Sequence, residues 1–407
     1  MTDSSDVIVI GAGPVGSQAA LKLAQSGLNA IVYEEHSEIG VPAHCAGHIN
    51  IQGLTRLGVT PLPTEVVENV YRGAIFHSPA GNSFEFRSDL PITCSINRSL
   101  FDKHMARKAR NAGAQFILDS KVEELGIMKD SLTVVSVKQQ KGTKRTQCKI
   151  VIDAEGISSR ILRQTDLPKL NSRMLVNGIE AEAENVGDVA SDMVEVFLGA
   201  SYAPGFYAWL MPKKDGYAKI GLGAKGANPI DLLRKLVAKH PIMSKKLRKS
   251  RIVRSVVHPI TLGGPIPKAY SRGFLAVGDV ASQVKSTTGG GVVFGMTCAS
   301  AAAEVAKKSI ESNDFSPDFL AEYQQRVNDI IGFDSRIMLR MRKTLDRISD
   351  ARMDSLIALC SRVGFDEALK NVKDIDLQGR ALLGVLRSPR ALAVLGYFLF
   401  AFLFANV

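Results

Sequence analysis

Residues 6–35, DVIVIGAGPVGSQAALKLAQSGLNAIVYEE, constrain the fold more tightly than any other stretch of the 407-residue chain. DVIVI is a short unbroken apolar run, the pattern of a parallel strand covered on both faces. The glycine turn Gly11-x-Gly13-x-x-Gly16 follows. Ala19, Ala20, Leu23 and Ala24 then repeat at helical spacing, Gly27 stops the helix, and NAIVYEE is a second strand. In such a strand–turn–helix, Gly11 permits the tight turn, Gly13 lets backbone N–H groups approach a pyrophosphate, and Gly16 lets the helix pack on the strand. The helix N-terminus adds partial positive charge. Glu34, ending the second strand, is placed to accept the ribose hydroxyls of an adenosine, which argues against a 2′-phosphate.

The rest of the chain predicts an α/β fold, α+β overall. A Rossmann-like domain with a parallel sheet is interleaved with an antiparallel-sheet substrate domain, and a helical region follows. The expected parts are 1–60, 93–168 and 266–312 for the first, 61–92 and 169–265 for the second, and 313–407 for the helical end with its apolar tail. Residues 36–60 read as a Gly/Pro/His-rich connection. Residues 70–92 alternate like a strand pair around SPAGN, and LTVVSVKQQKGTKRTQCKIVID reads as a hairpin returning to a buried strand.

The glycine turn alone does not separate NAD from FAD. Pro14 gives it the GxGPxG form common in flavoproteins. GFLAVGDVASQVKSTTGGGVVFGM puts Asp279 at a strand end, able to hold a ribityl hydroxyl. Gly289, Gly290 and Gly291 then open a helix whose dipole suits the charge that a flavin acquires on reduction. A strand also ends in VIDAEG, and no second GxGxxG marks a nicotinamide domain. FAD is therefore the expected cofactor, and no metal is expected.

A further oddity is PGFYAWLMPKKDG, which holds the chain's single tryptophan, Trp209, beside Phe206 and Tyr207. Tyr207 and Trp209, two apart on a strand, would share a face. They read either as sheet core or as the wall of a site. With this block added, the chain resembles the FAD-dependent oxidoreductases related to p-hydroxybenzoate hydroxylase. Within them it is most similar to the geranylgeranyl reductases, especially the archaeal digeranylgeranylglycerophospholipid reductases. The resemblance covers roughly residues 5–330. It rests on GAGPVG, IGVPAHCAGHI, INRSLFDKHMARKARNAGA, VIDAEG, YAPGFYAWLMPK and GDVASQVKSTTGGGV, in that order. It departs from the family pattern at Met211, Glu155, Ser282 and Ser286.

The resemblance implies a flavin that saturates C=C bonds of prenyl chains, with Val15, Gly16, Glu34, Cys45, Ala46, Gly47, Arg98, Val122, Asp279, Gly291 and Val292 against FAD. It also implies an isoprenoid lipid substrate. The chemistry needs a hydride on one alkene carbon and a proton on the other. Aromatic faces such as Tyr207 and Trp209 can steady cation-like charge and hold a floppy chain in place. Cys45 lies in the loop expected near the flavin, as proton donor or as shape; His44 and His48 flank it. A flavin monooxygenase or halogenase on the same scaffold, or an electron-transfer flavoprotein, stays open.

Net charge is +11, and residues 234–254 carry nine Lys and Arg with no acid. This suits a solvated helix face or contact with anionic lipid headgroups, and no nucleic-acid fold accompanies it. Residues 391–405 are uninterruptedly apolar. As a helix they reach about 22 Å, short of the roughly 20 residues a bilayer span needs. They suit dipping into one leaflet or packing inside. No secretory leader is expected, and five scattered cysteines fit reduced thiols. A cytoplasmic protein at a membrane surface follows as the expectation, with ferredoxin or NAD(P)H as external electron donor.

Overall fold

The computed structural model describes residues 4–127, 133–140, 142–370, 372 and 374–403. Its first sheet has eight strands. The strand Ser4–Ile10 lies at its centre, parallel to Ala30–Tyr33 on one side and to Gly142–Asp153 on the other. Gln115–Ile117 and Phe274–Ala276 extend it in parallel, and the predicted hairpin returns through Thr133–Gln139. Val7, Ile8 and Val9 are wholly buried, as an unbroken apolar strand covered on both faces must be. The fingerprint helix Pro14–Gln25 packs beside Val292–Glu311 and Arg98–Asn111.

The second sheet has seven strands in the order 251–261, 175–184, 218–224, 208–212, 193–197, 73–77, 83–87. It was expected to be antiparallel throughout. One pair, Met193–Phe197 with Gly73–His77, is parallel. Strands far apart in sequence meet there without a hairpin to set their direction, so the sheet is mixed.

A third sheet corrects the reading of residues 36–60 as a plain connection. His48–Asn50 pairs antiparallel with Thr93–Ile96, which pairs with Val67–Tyr71. The helix Ile51–Arg56 follows at once, with Asn50 accepting the Gln52 N–H at its start. The small sheet ties the loop 40–47 to the wall of the second sheet.

The segment 234–254 is not one helix face. It runs through the helices Pro229–Lys239 and Met243–Lys246 into the edge strand Arg251–Thr261. Some of its charge is paired: Lys246 meets buried Glu195 at 2.9 Å, and on the surface Arg251 meets Glu184 at 2.7 Å.

The apolar tail forms the helix Pro389–Leu403, which packs on Asp350–Val363. Ala391, Val394 and Ala401 are buried, and Arg352 donates to the Ala401 carbonyl. Leu383 and Leu392 are each 54% exposed. Among the described residues no single helix is long and apolar enough to cross a membrane. The pair Gln378–Val385 and Pro389–Phe398 passes such a test only together, bent by 120°.

Candidate active site

At the fingerprint turn, Gly11 adopts φ +94°. A side chain at Gly16 would strike the Gly11 carbonyl oxygen at 2.0 Å, so helix and strand approach as closely as backbone allows. A Cβ at Gly13 would meet nothing within 4 Å, because that backbone faces open space. No side chain caps the helix behind it. Glu34 closes the turn from the next strand, accepting the Ala12 N–H at 2.7 Å and the His36 N–H at 3.0 Å.

Opposite stands the glycine triple. Each glycine has a close neighbour, and Gly289 also has φ +69°. Side chains at 289, 290 and 291 would meet the Phe206 ring at 3.1 Å, Lys285 Cε at 2.6 Å and Asp279 Oδ1 at 2.7 Å. The helix that starts at Val292 also lacks a side-chain cap. Burial pushes the Asp279 carboxyl up, and Arg98 opposes that.

Arg98 grips Asp102 through two hydrogen bonds, 3.0 and 3.1 Å. Burial disfavours its cation, but Asp102 and the adjacent Cys45 outweigh burial and keep the guanidinium protonated. Cys45 is open to the cavity, and its Sγ accepts the Gly47 N–H at 3.4 Å. Lys219, itself buried, donates to the carbonyls of Ala46 and Ile96 at 3.0 and 3.2 Å and pairs with Glu68 at 2.6 Å. It pins the Cys45 loop to the strand Ala218–Ala224.

The flanking histidines are neutral. His48 bonds Thr93 Oγ1 at 2.8 Å. It faces the cavity yet is enclosed by protein, and burial pushes its pKa down to about 4. His44 stacks flat on His258, centroids 4.5 Å apart. Burial and His44 together push His258 down to about 4.

Tyr207 and Trp209 do share a wall. Their rings meet edge to face, with centroids 5.9 Å apart, and the Tyr207 hydroxyl donates to the Thr288 carbonyl at 2.9 Å. Burial raises the Tyr207 phenol. Met211 is buried behind them against Tyr71 and Val194. Arg342, buried and paired with Asp346 at 2.7 Å, lies over the Phe206 ring.

All these surfaces border one cavity of about 1570 Å³, larger than the roughly 300–1,000 Å³ of an ordinary ligand site. Gly11, Gly13, Pro14, Val15, Glu34, Cys45, Ala46, Gly47, Arg98, Val122, Tyr207, Trp209, Asp279, Gly289, Gly290, Gly291 and Val292 line it; Gly16 lies beneath the turn and does not. One end is the glycine cradle. The other is greasy, walled by Phe84, Phe86, Ile348, Met353, Leu395 and Phe398. Two uncapped helix N-termini, an open Gly13 backbone and the buried Asp279 carboxyl fit an FAD whose pyrophosphate and ribityl chain need those donors and that acceptor.

Sequence reasoning missed Lys285, Arg342 and the tail helices as part of this chamber, and Lys219 as the tether of its Cys45 loop. Lys285 was within view, inside the glycine-loop block. The rest gave no local signal.

The model of the FAD dependent oxidoreductase family matches residues 6–159, and that of the geranylgeranyl reductase catalytic domain matches residues 176–258. The chain is 31% identical over 393 residues to digeranylgeranylglycerophospholipid reductase 2 of Methanopyrus kandleri, covering 95% of this chain and 97% of that protein. It is 33% identical over 362 residues to digeranylgeranylglycerophospholipid reductase of Methanocaldococcus jannaschii, covering 88% and 90%. In fold it matches a geranylgeranyl bacteriochlorophyll reductase-like protein from Thermoplasma acidophilum, with TM-score 0.87 and 24% identity over 97% of this chain and 99% of that one. A reductase catalytic domain over the strands that carry Trp209 weighs against the monooxygenase and halogenase alternatives.

Proposed function

We infer that this chain, which belongs to the geranylgeranyl reductase family of FAD-dependent oxidoreductases, saturates C=C bonds in the geranylgeranyl chains of archaeal-type membrane-lipid precursors. The observation that carries this reading is the continuity of one cavity from the glycine cradle, past Tyr207 and Trp209, into an apolar chamber.

Bound in the cradle, FAD supplies the hydride. The chain's own residues do the rest. The free N–H groups behind Gly13 and Gly291 hold anionic and carbonyl oxygens without side-chain help. Glu34 takes the ribose and Asp279 the ribityl hydroxyls. Tyr207 and Trp209 fix the prenyl chain and offer aromatic faces to positive charge on carbon. Cys45, held between Arg98 and the Gly47 N–H, shapes the approach to the flavin. The apolar chamber excludes water and takes up the remaining isoprene units.

The lipid reaches the chamber from a membrane surface. In support, Leu383, Leu386 and Leu392 are exposed on the bent tail pair beside Arg387 and Arg390, and the same helices line the greasy end. Electrons come from an external donor, ferredoxin or NAD(P)H. In this reading the chain divides into a flavin domain, a substrate domain and a helical end.

The test is direct. The purified protein is reduced anaerobically, digeranylgeranylglyceryl phosphate is added, and flavin reoxidation is followed with the lipid's mass. Two hydrogens gained per double bond are expected; an unchanged mass removes the reading. For the surface, Leu383→Glu with Leu392→Glu is expected to abolish binding to anionic vesicles while FAD is retained.

A further inference from the structure

Saturating an isolated alkene takes a proton as well as a hydride, and the residues named so far are poorly set to give one. The Tyr207 hydroxyl is bound to Thr288, and burial raises its phenol. His48 and His258 are already deprotonated. The Cys45 sulfur is arranged as an acceptor.

The cavity is also lined by carboxyls. Glu34, Glu35, Asp102, Glu155 and Asp346 each hold a backbone N–H or a cation. Asp279 belongs to the cradle. Glu180 remains. Its Oε2 is buried and has no hydrogen-bond partner among the described residues. It sits on the strand Leu175–Glu184, in a row that runs Val256, Glu180, Gly221, Trp209, Val196 across five strands in register. Residues in register point to the same face. Gly221 contributes no side chain, so the indole lies across it: Cζ2 and Cε2 of Trp209 would be 2.5 and 2.7 Å from a Cβ there. The indole Nε1, bonded to that Cε2, is likewise buried and unpartnered. A free carboxyl and the aromatic wall thus flank one glycine and line one cavity.

We propose that Glu180 is the proton donor of the reaction, delivering its carboxyl proton to the alkene carbon that does not receive the hydride. This rests on the reductase reading above. The π pair forms one C–H bond with the Glu180 proton, and the hydride forms the other with its own electron pair. Glu180 is left as a carboxylate and regains its proton from water. Its surroundings keep the acid form available: burial raises the carboxyl, with Glu68 and Glu182 adding to the rise and Lys219 and Arg254 opposing it.

The experiment uses the full-length, FAD-loaded protein and its Glu180→Gln and Glu180→Asp variants. In anaerobic single turnover with digeranylgeranylglyceryl phosphate, Glu180→Gln is expected to slow flavin reoxidation by on the order of 100-fold or more. FAD content and lipid affinity should be unchanged, and Glu180→Asp should recover part of the rate. The wild-type rate falls as pH rises through the Glu180 pKa; the Gln variant loses that limb. A second readout needs no turnover: Trp209 is the sole tryptophan, so its emission should titrate with Glu180 in wild type and not in Glu180→Gln. A Gln variant as fast as wild type, or one whose Trp209 emission still titrates alike, overturns the assignment. Wild-type protein that leaves the lipid mass unchanged overturns the reductase reading itself.

Discussion

Trp209 lies flat across Gly221, its partner in register on the neighbouring strand. A methyl group at 221 would stand 2.5 Å from Cζ2 of the indole and 2.3 Å from the Ile179 carbonyl oxygen. Gly221→Ala therefore lifts the indole or bows the sheet. The expected cost is about 1–3 kcal/mol of stability. Turnover should drop on the order of 100-fold, since small misplacements near reacting atoms act steeply. Thermal melts and single-turnover rates on the same sample separate the two effects.

Tyr207 and Trp209 should respond differently to truncation. Tyr207→Phe keeps the ring and loses only the bond to the Thr288 carbonyl, worth about 1 kcal/mol. Trp209→Ala empties the wall. The Phe variant should stay within a few-fold of wild type in kcat/KM, while the Ala variant falls roughly 10- to 100-fold, an effect of about 1.4–2.7 kcal/mol. Steady-state kinetics with a constant donor check the difference.

Lys219→Met should be among the most damaging substitutions outside the cradle. It leaves the Glu68 carboxylate with Lys213 alone, at 3.3 Å, and strips two carbonyls, those of Ala46 and Ile96, of their lysine donor. A buried charge left wholly unpaired costs on the order of 3–5 kcal/mol; Lys213 still faces Glu68, so the loss expected here is smaller than that. The loop that carries Cys45 also loses its tether, so weaker FAD retention is expected alongside the lower Tm. Pairing the change with Glu68→Gln should restore part of the stability, which a denaturant titration would show.

Acid should unfold the protein partly through His240. This imidazole is inaccessible to solvent. Its Nδ1 accepts the N–H groups of Ile242 and Met243 at 3.2 and 3.4 Å, and Nε2 donates to the Ser78 carbonyl at 3.1 Å. That arrangement requires the neutral ring, and burial pushes its pKa from 6.5 down to about 4. The unfolded chain takes up the proton first. Stability contributed by His240 is thus complete above pH 6.5 and is lost as pH falls toward 4. Tm measured across that window should decline, and His240→Gln, lower in Tm at neutral pH, should decline less.

The fingerprint end of the molecule was readable because its constraints are local. Gly11, Gly13 and Gly16 act within one turn, and Glu34 ends the adjacent strand. The wall was half-readable: period-two spacing placed Tyr207 and Trp209 together, but nothing near them announced Gly221 or Glu180 across two strands. Glu180 stands in EAEAE, which looks like any half-exposed strand. The pairing of 193–197 with 73–77 joins segments more than 100 residues apart, and the strand His48–Asn50 is too short to show a period. Lys219 carries no local sign of its role, because its partners Ala46, Ile96 and Glu68 lie more than 100 residues away. The tail was legible as apolar, while its division between packing on 350–363 and lining the chamber depends on contacts no periodicity records.

The chamber has an order of manufacture. Every residue of the cradle, from Gly11 to Val292, leaves the ribosome before the helices 378–385 and 389–403 that close the greasy end. While those helices are still being made, the nascent chain already contains the whole dinucleotide seat and has no lid over its hydrocarbon compartment. The chain's own direction of synthesis thus completes the dinucleotide seat before it supplies the last walls of the hydrocarbon compartment.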